Sequence, residues 1–545
     1  MLQDNFTKFV KDSLISNWDR TAFTNYESNS LTYGEVALYI KQFHALYEKC
    51  GIKKGDKIAL IGRNSANWAI AYMTIVTYGA VVVPILPNFL ANDVHHIVNH
   101  SDSIALFANN NHWEQLEENQ MFNLTIAISL DDFKPLFTKK GSNCQHIEHM
   151  RDKVSGFDSQ KSVDFKIVPN SELFAIIYTS GTTGFSKGVM LTHNNITANM
   201  VYSRTNMPLV PGDKILSFLP LAHAYGCAIE FLYPFTLGCH ITFLGKLPTP
   251  QILIKAFKEI RPRLILSVPL IIEKIYKKQI KPIISQPKVK LLMNIPFLES
   301  RILKKINKRL CESFGDNFHE IVIGGAALNE EVQVFLKRAK FPFTIGYGMT
   351  ECAPLISYAN WRINKINSCG RCVDTLTMKI DSPDPENKVG EILVKGENVM
   401  SGYYKSKTIT AETIDSEGWL HTGDLGTMDS EGFLFIKGRS KSMILGSSGQ
   451  NIYPEEIESF INNWPYVQES LVVERKENLV ALIYPDMELV DKEKIGETKL
   501  NEIYEGLRKN LNKQLPAYMQ VSKIQIYPNE FEKTPKRSIK RFLYS

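Results

Sequence analysis

The chain carries no cysteine framework. Eight cysteines are scattered through 545 residues, and only Cys369 and Cys372 form a CxxC. With no second pair and no neighbouring histidine, they read as two incidental thiols on a turn around Gly370 rather than a zinc or redox site. Such usage suits a reducing compartment and predicts a cytoplasmic protein. A secretory leader is not apparent either: Met1 to Trp18 includes Asp4, Lys8, Lys11 and Asp12 and has no unbroken apolar stretch. No charge occurs between residues 64 and 92, but Pro84 and Pro87 interrupt that run and Gly79-Ala80 divides it. A buried helix followed by a buried strand explains it better than a membrane span, which leaves only peripheral membrane contact open. Charge of one sign is scarce too. A net charge of +6 over this length, without a basic stripe interleaved with aromatics, excludes nucleic acid and fits anionic small molecules.

There is also no low-complexity tract and no internal repeat. With 44% hydrophobic and 22% charged residues the chain is globular, and its length asks for more than one core. Helical and strand-like segments alternate over the first 350 residues or so. Leu31 to Cys50 is predicted as an amphipathic helix, Lys57 to Ile61 as a strand, Ala66 to Thr77 as a helix and Ala80 to Ile85 as a strand. The same alternation returns at 172 to 202 and 251 to 268, which implies parallel-sheet α/β units. From about residue 370 short strands with turn-rich spacing (Leu376 to Ile380, Gly390 to Val394, Phe433 to Ile436) suggest a small antiparallel or barrel-like unit. Beyond Gly438, a hairpin near Arg475 to Asn478 and a helix near Leu500 to Gln514 suit a small α+β domain.

Chemistry is concentrated in a few glycine-rich segments. Tyr178-Thr-Ser-Gly-Thr-Thr-Gly-Phe-Ser-Lys-Gly-Val189 follows an apolar strand and precedes a helix-like stretch at His193 to Tyr202. Its glycines allow close backbone approach, its hydroxyls and N–H groups donate, and Lys187 brings positive charge, so the loop is built for polyphosphate. It is not a Walker A loop, because Ser186 precedes the lysine and Gly188 follows it. In Gly346-Tyr-Gly-Met-Thr-Glu351 the tyrosine offers a flat face for a base, Thr350 a hydroxyl for a phosphate and Glu351 a hard oxygen for Mg²⁺. Gly324-Gly-Ala-Ala-Leu328 follows the apolar Ile321 to Ile323; its small side chains leave room for a ligand or merely allow close packing. In Gly418 to Gly426, Asp424 can hold both hydroxyls of a ribose or cap a turn, and Arg439 follows in Ile436-Lys-Gly-Arg-Ser-Lys441.

In this order the segments resemble the adenylate-forming superfamily of acyl-CoA synthetases, luciferases and peptide-synthetase adenylation domains. The resemblance runs from Leu31-Thr-Tyr-Gly34 to the C-terminus and is strongest to long-chain fatty acid–CoA ligases, through Arg261 to Tyr276 and Gly324 to Leu328. It implies a large N-terminal domain, 1–438, of parallel-sheet α/β subdomains plus a small β-barrel-like unit, then a small mobile α+β domain, 439–545. It further implies ATP, Mg²⁺ and coenzyme A as cofactors and a fatty or other carboxylic acid as substrate.

Residue by residue, the resemblance puts Thr179, Ser180, Gly181, Thr182, Thr183, Gly184 and Lys187 around the β- and γ-phosphates. Gly325, Ala326, Ala327 and Tyr347 fall to the adenine pocket, Gly348 and Met349 to the nucleotide site without a finer role, and Thr350 to the α-phosphate. Glu351, with Thr179, would hold Mg²⁺. Asp424 and Arg439 would hold the ribose, with Ile436 against the base. Lys441 falls at the hinge of the small domain. His223, in Leu219-Pro-Leu-Ala-His-Ala-Tyr225, is placed near the acyl carboxylate, the other reading being a core histidine. Gly446 and Gly449 belong to the loop that serves the thioester step.

Two departures stand out. Ser186 replaces the usual proline of the phosphate loop. Ser538 stands where the family has a C-terminal lysine, which leaves Lys536 or Lys540 to supply that cation. Two rival readings follow: a ligase that loads a carrier-protein thiol, and a degenerate nucleotide-binding module.

Overall fold

The computed structural model describes residues 1–144, 163–179, 187–445, 450–475, 478–533 and 539–544. The central element is an eight-stranded sheet. Five of its strands, 173–179, 81–85, 57–61, 103–108 and 126–129, lie parallel in that spatial order. Their near-continuous apolar sequences follow from burial on both faces. The uncharged run after residue 64 is a buried helix, Ala66–Tyr78, and a buried strand, Val81–Ile85. Ser65 caps the helix, and Gly79 ends it at a positive φ of 89°. Among the described residues no helix is long and apolar enough to cross a membrane. The predicted helix from Leu31 begins at Tyr33, because Thr32 and Glu35 form a capping box.

Two further sheets contain parallel strands and adjoin each other. One has the strands 214–217, 240–243 and 21–25; the other has 264–267, 320–323 and 343–345. The turn-rich region holds an antiparallel four-stranded sheet, 376–381, 390–396, 420–428 and 434–439. A bridge between Arg371 and Phe433 joins it to the small sheet 347–348, 355–358 and 371–372. The apolar cluster running from Ile452 to Ile524 is separate from the main core. It lies between the hairpin 467–475/478–485, the strand 521–526 and the helix Glu497–Asn512. The eight cysteines are free thiols, and burial pushes Cys369 up to about 12.

One difference from the sequence reading bears on the site. Lys187–Thr192 is a strand, antiparallel to Leu173–Thr179, so the phosphate-loop segment joins two strands and not a strand to a helix. Lys187 and Gly188 at its start hide the apolar alternation that would have marked it.

His193 opens the next helix fully buried between Phe6 and Phe174, and neither ring nitrogen has a partner among the described residues. Burial pushes its pKa from 6.5 to about 3. The folded state thus refuses a proton that the unfolded chain accepts. The associated stability is complete above pH 6.5 and is lost progressively as pH falls toward 3, by about 1.4 kcal/mol per pH unit. His193→Phe should therefore lose about 2 kcal/mol less than the parent between pH 6.5 and pH 5. Denaturant midpoints at the two pH values check this; parallel losses would contradict it.

Candidate active site

The C-terminal ends of the strands 320–323 and 343–345 lie side by side, a common place for a ligand in an open α/β sheet. From the first, the chain passes into Gly324 to Ala327. Gly324 is buried, and a Cβ there would meet the Tyr225 ring at 3.2 Å. Gly325 takes a φ of 87° with open space where a side chain would be, and Gly325, Ala326 and Ala327 are exposed. They form a bare ledge. The second strand leads through Gly346 into Tyr347 and Gly348. A Cβ on Gly348 would approach the Pro354 carbonyl oxygen to 2.2 Å, so only glycine fits.

Tyr347 is buried, and its hydroxyl donates to Asp424 Oδ2 at 2.7 Å. Arg439 Nε meets Asp424 Oδ1 at 3.0 Å, from the position directly opposite on the neighbouring strand. Asp424 is therefore not a turn cap: it stands in the strand Leu420–Met428, 5% exposed. Burial pushes its carboxyl above the usual range, with Arg439 and the Tyr347 hydroxyl pulling it part of the way back. Tyr347 accordingly orients the carboxylate, in addition to any face it offers a base. Ile436 lies half-buried on the strand that carries Arg439.

Four residues past Tyr347, Glu351 sits half-buried on a short helical turn, Thr350–Cys352, with Thr350 buried before it. The Tyr403 hydroxyl donates to Glu351 Oε1 at 3.0 Å, and the Met400 N–H donates to the Glu351 backbone oxygen at 2.8 Å. Lys187 Nζ lies 5.1 Å above the Tyr403 ring. Tyr403 thus brings the loop lysine and the acidic side chain to one place. Sequence reasoning missed it, since Gly402-Tyr403-Tyr404 carries no charge and its meaning depends on partners far away in the chain. Met349 is half-buried and Gly348 exposed beside this cluster. Thr179, paired in register with Lys187, is the last described residue before the loop. Ser180, Gly181, Thr182, Thr183 and Gly184 lie outside the described residues, as do Gly446, Gly449, Lys536 and Ser538.

A Mg²⁺ site fits this donor set. One carboxylate with a neighbouring hydroxyl suits an ion that keeps several waters and bridges phosphate oxygens. Glu351 can serve with the oxygen that Tyr403 does not occupy.

His223 is half-buried at the start of a short helical turn, not sunk in the core. The chain leading into this turn is held by Glu230, a buried side chain on a π-helical stretch that accepts from the Phe218 and Leu219 N–H groups at 3.1 Å each. Burial pushes the Glu230 carboxyl well above the usual range. Lys441 is exposed on the turn Ser440–Ser442, after the last strand of the four-stranded sheet. Lys540 pairs with Glu532 at 3.4 Å within the C-terminal segment rather than with either cluster.

The family model for AMP-binding enzymes matches residues 13–404. The chain belongs to this family. As a member it is a ligase. A long-chain-fatty-acid–[acyl-carrier-protein] ligase of the Arabidopsis thaliana chloroplast is 28% identical, over 88% of this chain and 76% of that protein. A long-chain-fatty-acid–CoA ligase of Mycobacterium tuberculosis is 27% identical, over 84% and 78%. ATP-bound MatB from Rhodopseudomonas palustris shares the fold, with a TM-score of 0.76 at 20% identity over 99% of this chain and 98% of that one. So does the O-succinylbenzoate coenzyme A synthetase of Bacillus subtilis in complex with ATP and magnesium, with a TM-score of 0.76 at 20% identity over 98% of each chain.

Proposed function

We propose that this chain is an AMP-forming long-chain fatty acid–CoA ligase. The observation that carries the reading is the joining of two clusters by one short segment, Gly346 to Glu351. At one end Tyr347 orients Asp424 beside Arg439; at the other Glu351 meets Tyr403 beneath Lys187. The first suits a ribose next to a bare ledge for the base, and the second suits phosphates. Relatives at 26 to 28% identity that bear the long-chain-fatty-acid–CoA ligase name support the substrate class.

In this reading the acid's carboxylate oxygen attacks the α-phosphorus of ATP, and the bond to the bridging oxygen breaks with its electron pair leaving on pyrophosphate. The coenzyme A thiol then loses its proton, the sulfur attacks the carbonyl carbon of the mixed anhydride, and AMP departs. No protein nucleophile is required. Asp424 and Arg439 orient the nucleotide, Lys187 meets charge on the phosphates, and His223 faces the carboxylate. Mg²⁺ held by Glu351 and Thr179 would neutralise charge on the departing pyrophosphate. Lys536 or Lys540 would supply the cation that Ser538 does not. Free thiols agree with a cytoplasmic location.

The domains divide at 438/439 in this account, with Lys441 absorbing the change of backbone angles between half-reactions. Proline fixes φ near about −65°. Lys441→Pro is therefore expected to impair one half-reaction at least tenfold more than the other. The two rates are read with acid plus ATP, and with preformed acyl-AMP plus coenzyme A; equal losses would remove the hinge.

Pyrophosphate release across a panel of acids, with and without coenzyme A, tests the function. Long-chain acids should give the highest turnover, and coenzyme A should sustain it. A carrier-protein ligase is the second reading, favoured by the Arabidopsis relative. It predicts turnover sustained by a phosphopantetheinylated carrier and not by coenzyme A.

A further inference from the structure

Basic residues are distributed very unevenly. Residues 274–309 hold eleven lysines and arginines against a single acidic residue, Glu299, a net +10. The whole chain is net +6, so everything outside this stretch is net −4. The stretch folds as a chain of short helical pieces, Tyr276–Ile280, Lys281–Ile284 and Pro287–Met293, leading into the long helix Pro296–Ser313.

The long helix buries Leu303, Ile306 and Leu310 against the body. At helical spacing, Phe297, Arg301, Lys304, Lys305 and Lys308 fall on the opposite side, and all are exposed. Just before it and in its first turn, Leu291 (68% exposed), Leu292, Ile295 and Phe297 (64%) present large apolar side chains to solvent within seven residues. Exposed apolar residues scattered singly are ordinary, but a contiguous group rimmed by one sign of charge marks a docking face. The Arg301 guanidinium lies 4.2 Å above the Phe297 ring.

We infer that this face, Lys288 to Lys308, docks the enzyme on an anionic lipid bilayer. The apolar side chains enter the boundary between headgroups and acyl chains, while the lysines and arginines meet lipid phosphates. Charge complementarity decides the occupant. A second copy would set this face, net +5 over residues 288–308, against itself at an interface made by one patch on both chains. An acidic soluble protein would leave the leucine and phenylalanine tips without a purpose. Lys277 and Lys281 are already engaged, by the Asn462 carbonyl oxygen at 2.8 Å and by Glu331 at 3.3 Å, so the outer lysines carry the attraction. None of the docking residues belongs to the candidate active site, and the inference stands whichever thiol accepts the acyl group.

The test is flotation of the full chain with phosphatidylcholine vesicles, with and without phosphatidylglycerol. The parent should float with the anionic vesicles, and added salt should release much of it. Lys304→Glu/Lys305→Glu should lower partitioning on the order of tenfold or more. Leu291→Ser/Leu292→Ser/Phe297→Ser should also lower it, even at low salt. Both variants should keep the parent's adenylation rate with a soluble acid and no vesicles, which reports an intact fold. Absence of flotation by the parent overturns the inference, as does flotation of both variants like the parent. Loss, in the same variants, of a self-associated state or of binding to an acidic protein, with no flotation, would make this face a protein interface instead.

Discussion

Replacing Glu351 by alanine is expected to lower acid-dependent pyrophosphate release by about 10²- to 10³-fold, with circular dichroism and the unfolding midpoint nearly unchanged. The side chain is half-exposed and its packing is minor. Its backbone oxygen still accepts the Met400 N–H, so the turn Thr350–Cys352 has no reason to open. What disappears is the one carboxylate of the cluster beside Lys187 and Tyr403 that can meet a hard cation on the phosphates. Raising Mg²⁺ should recover little of the rate, because the deficit is a ligand and not occupancy alone. Unimpaired release at saturating ATP and acid would mean that Glu351 merely holds Tyr403.

Asp424→Ala should weaken ATP binding by about 10- to 100-fold, as expected for charged hydrogen bonds worth about 1.5–3 kcal/mol. Its two oxygens are held by Tyr347 and Arg439, yet a carboxylate accepts about four hydrogen bonds, so capacity remains for two ribose hydroxyls. The change costs some stability as well. Arg439 is mostly exposed and turns to water, whereas the buried Tyr347 hydroxyl loses its acceptor, for about 1–3 kcal/mol. Tyr347→Phe separates the two effects, since it frees Asp424 without removing it. Calorimetry should show a smaller affinity loss there than in Asp424→Ala. Unchanged affinity in Asp424→Ala would reduce the residue to a structural one.

Local chemistry was legible in the sequence, and distant partnership was not. Three of the five parallel strands, at 57–61, 81–85 and 173–179, showed as short apolar runs because both of their faces are buried, whereas 103–108 and 126–129 were not singled out. The ledge at Gly324 to Ala327 and the Gly346 to Glu351 segment showed as small or hydroxyl residues at strand ends. The strand Lys187–Thr192 was hidden by its own first residues and emerges only from its pairing with Leu173–Thr179. Tyr403 and Glu351 are separated by 52 residues, and Tyr347 and Asp424 by 77. No spacing rule reaches across such distances, although each member had a recognisable type. Glu230 was not singled out from the sequence: its role shows only in the two backbone N–H groups, of Phe218 and Leu219, that it accepts from.

The account's central claim is that the acid's own oxygen attacks the α-phosphorus of ATP. It is tested most directly by supplying a long-chain acid labelled with heavy oxygen in its carboxylate, together with ATP, Mg²⁺ and coenzyme A, and weighing the products by mass spectrometry. The account predicts one labelled oxygen in AMP for each thioester formed, and none in pyrophosphate. Label in pyrophosphate or inorganic phosphate, or ADP in place of AMP, would contradict it.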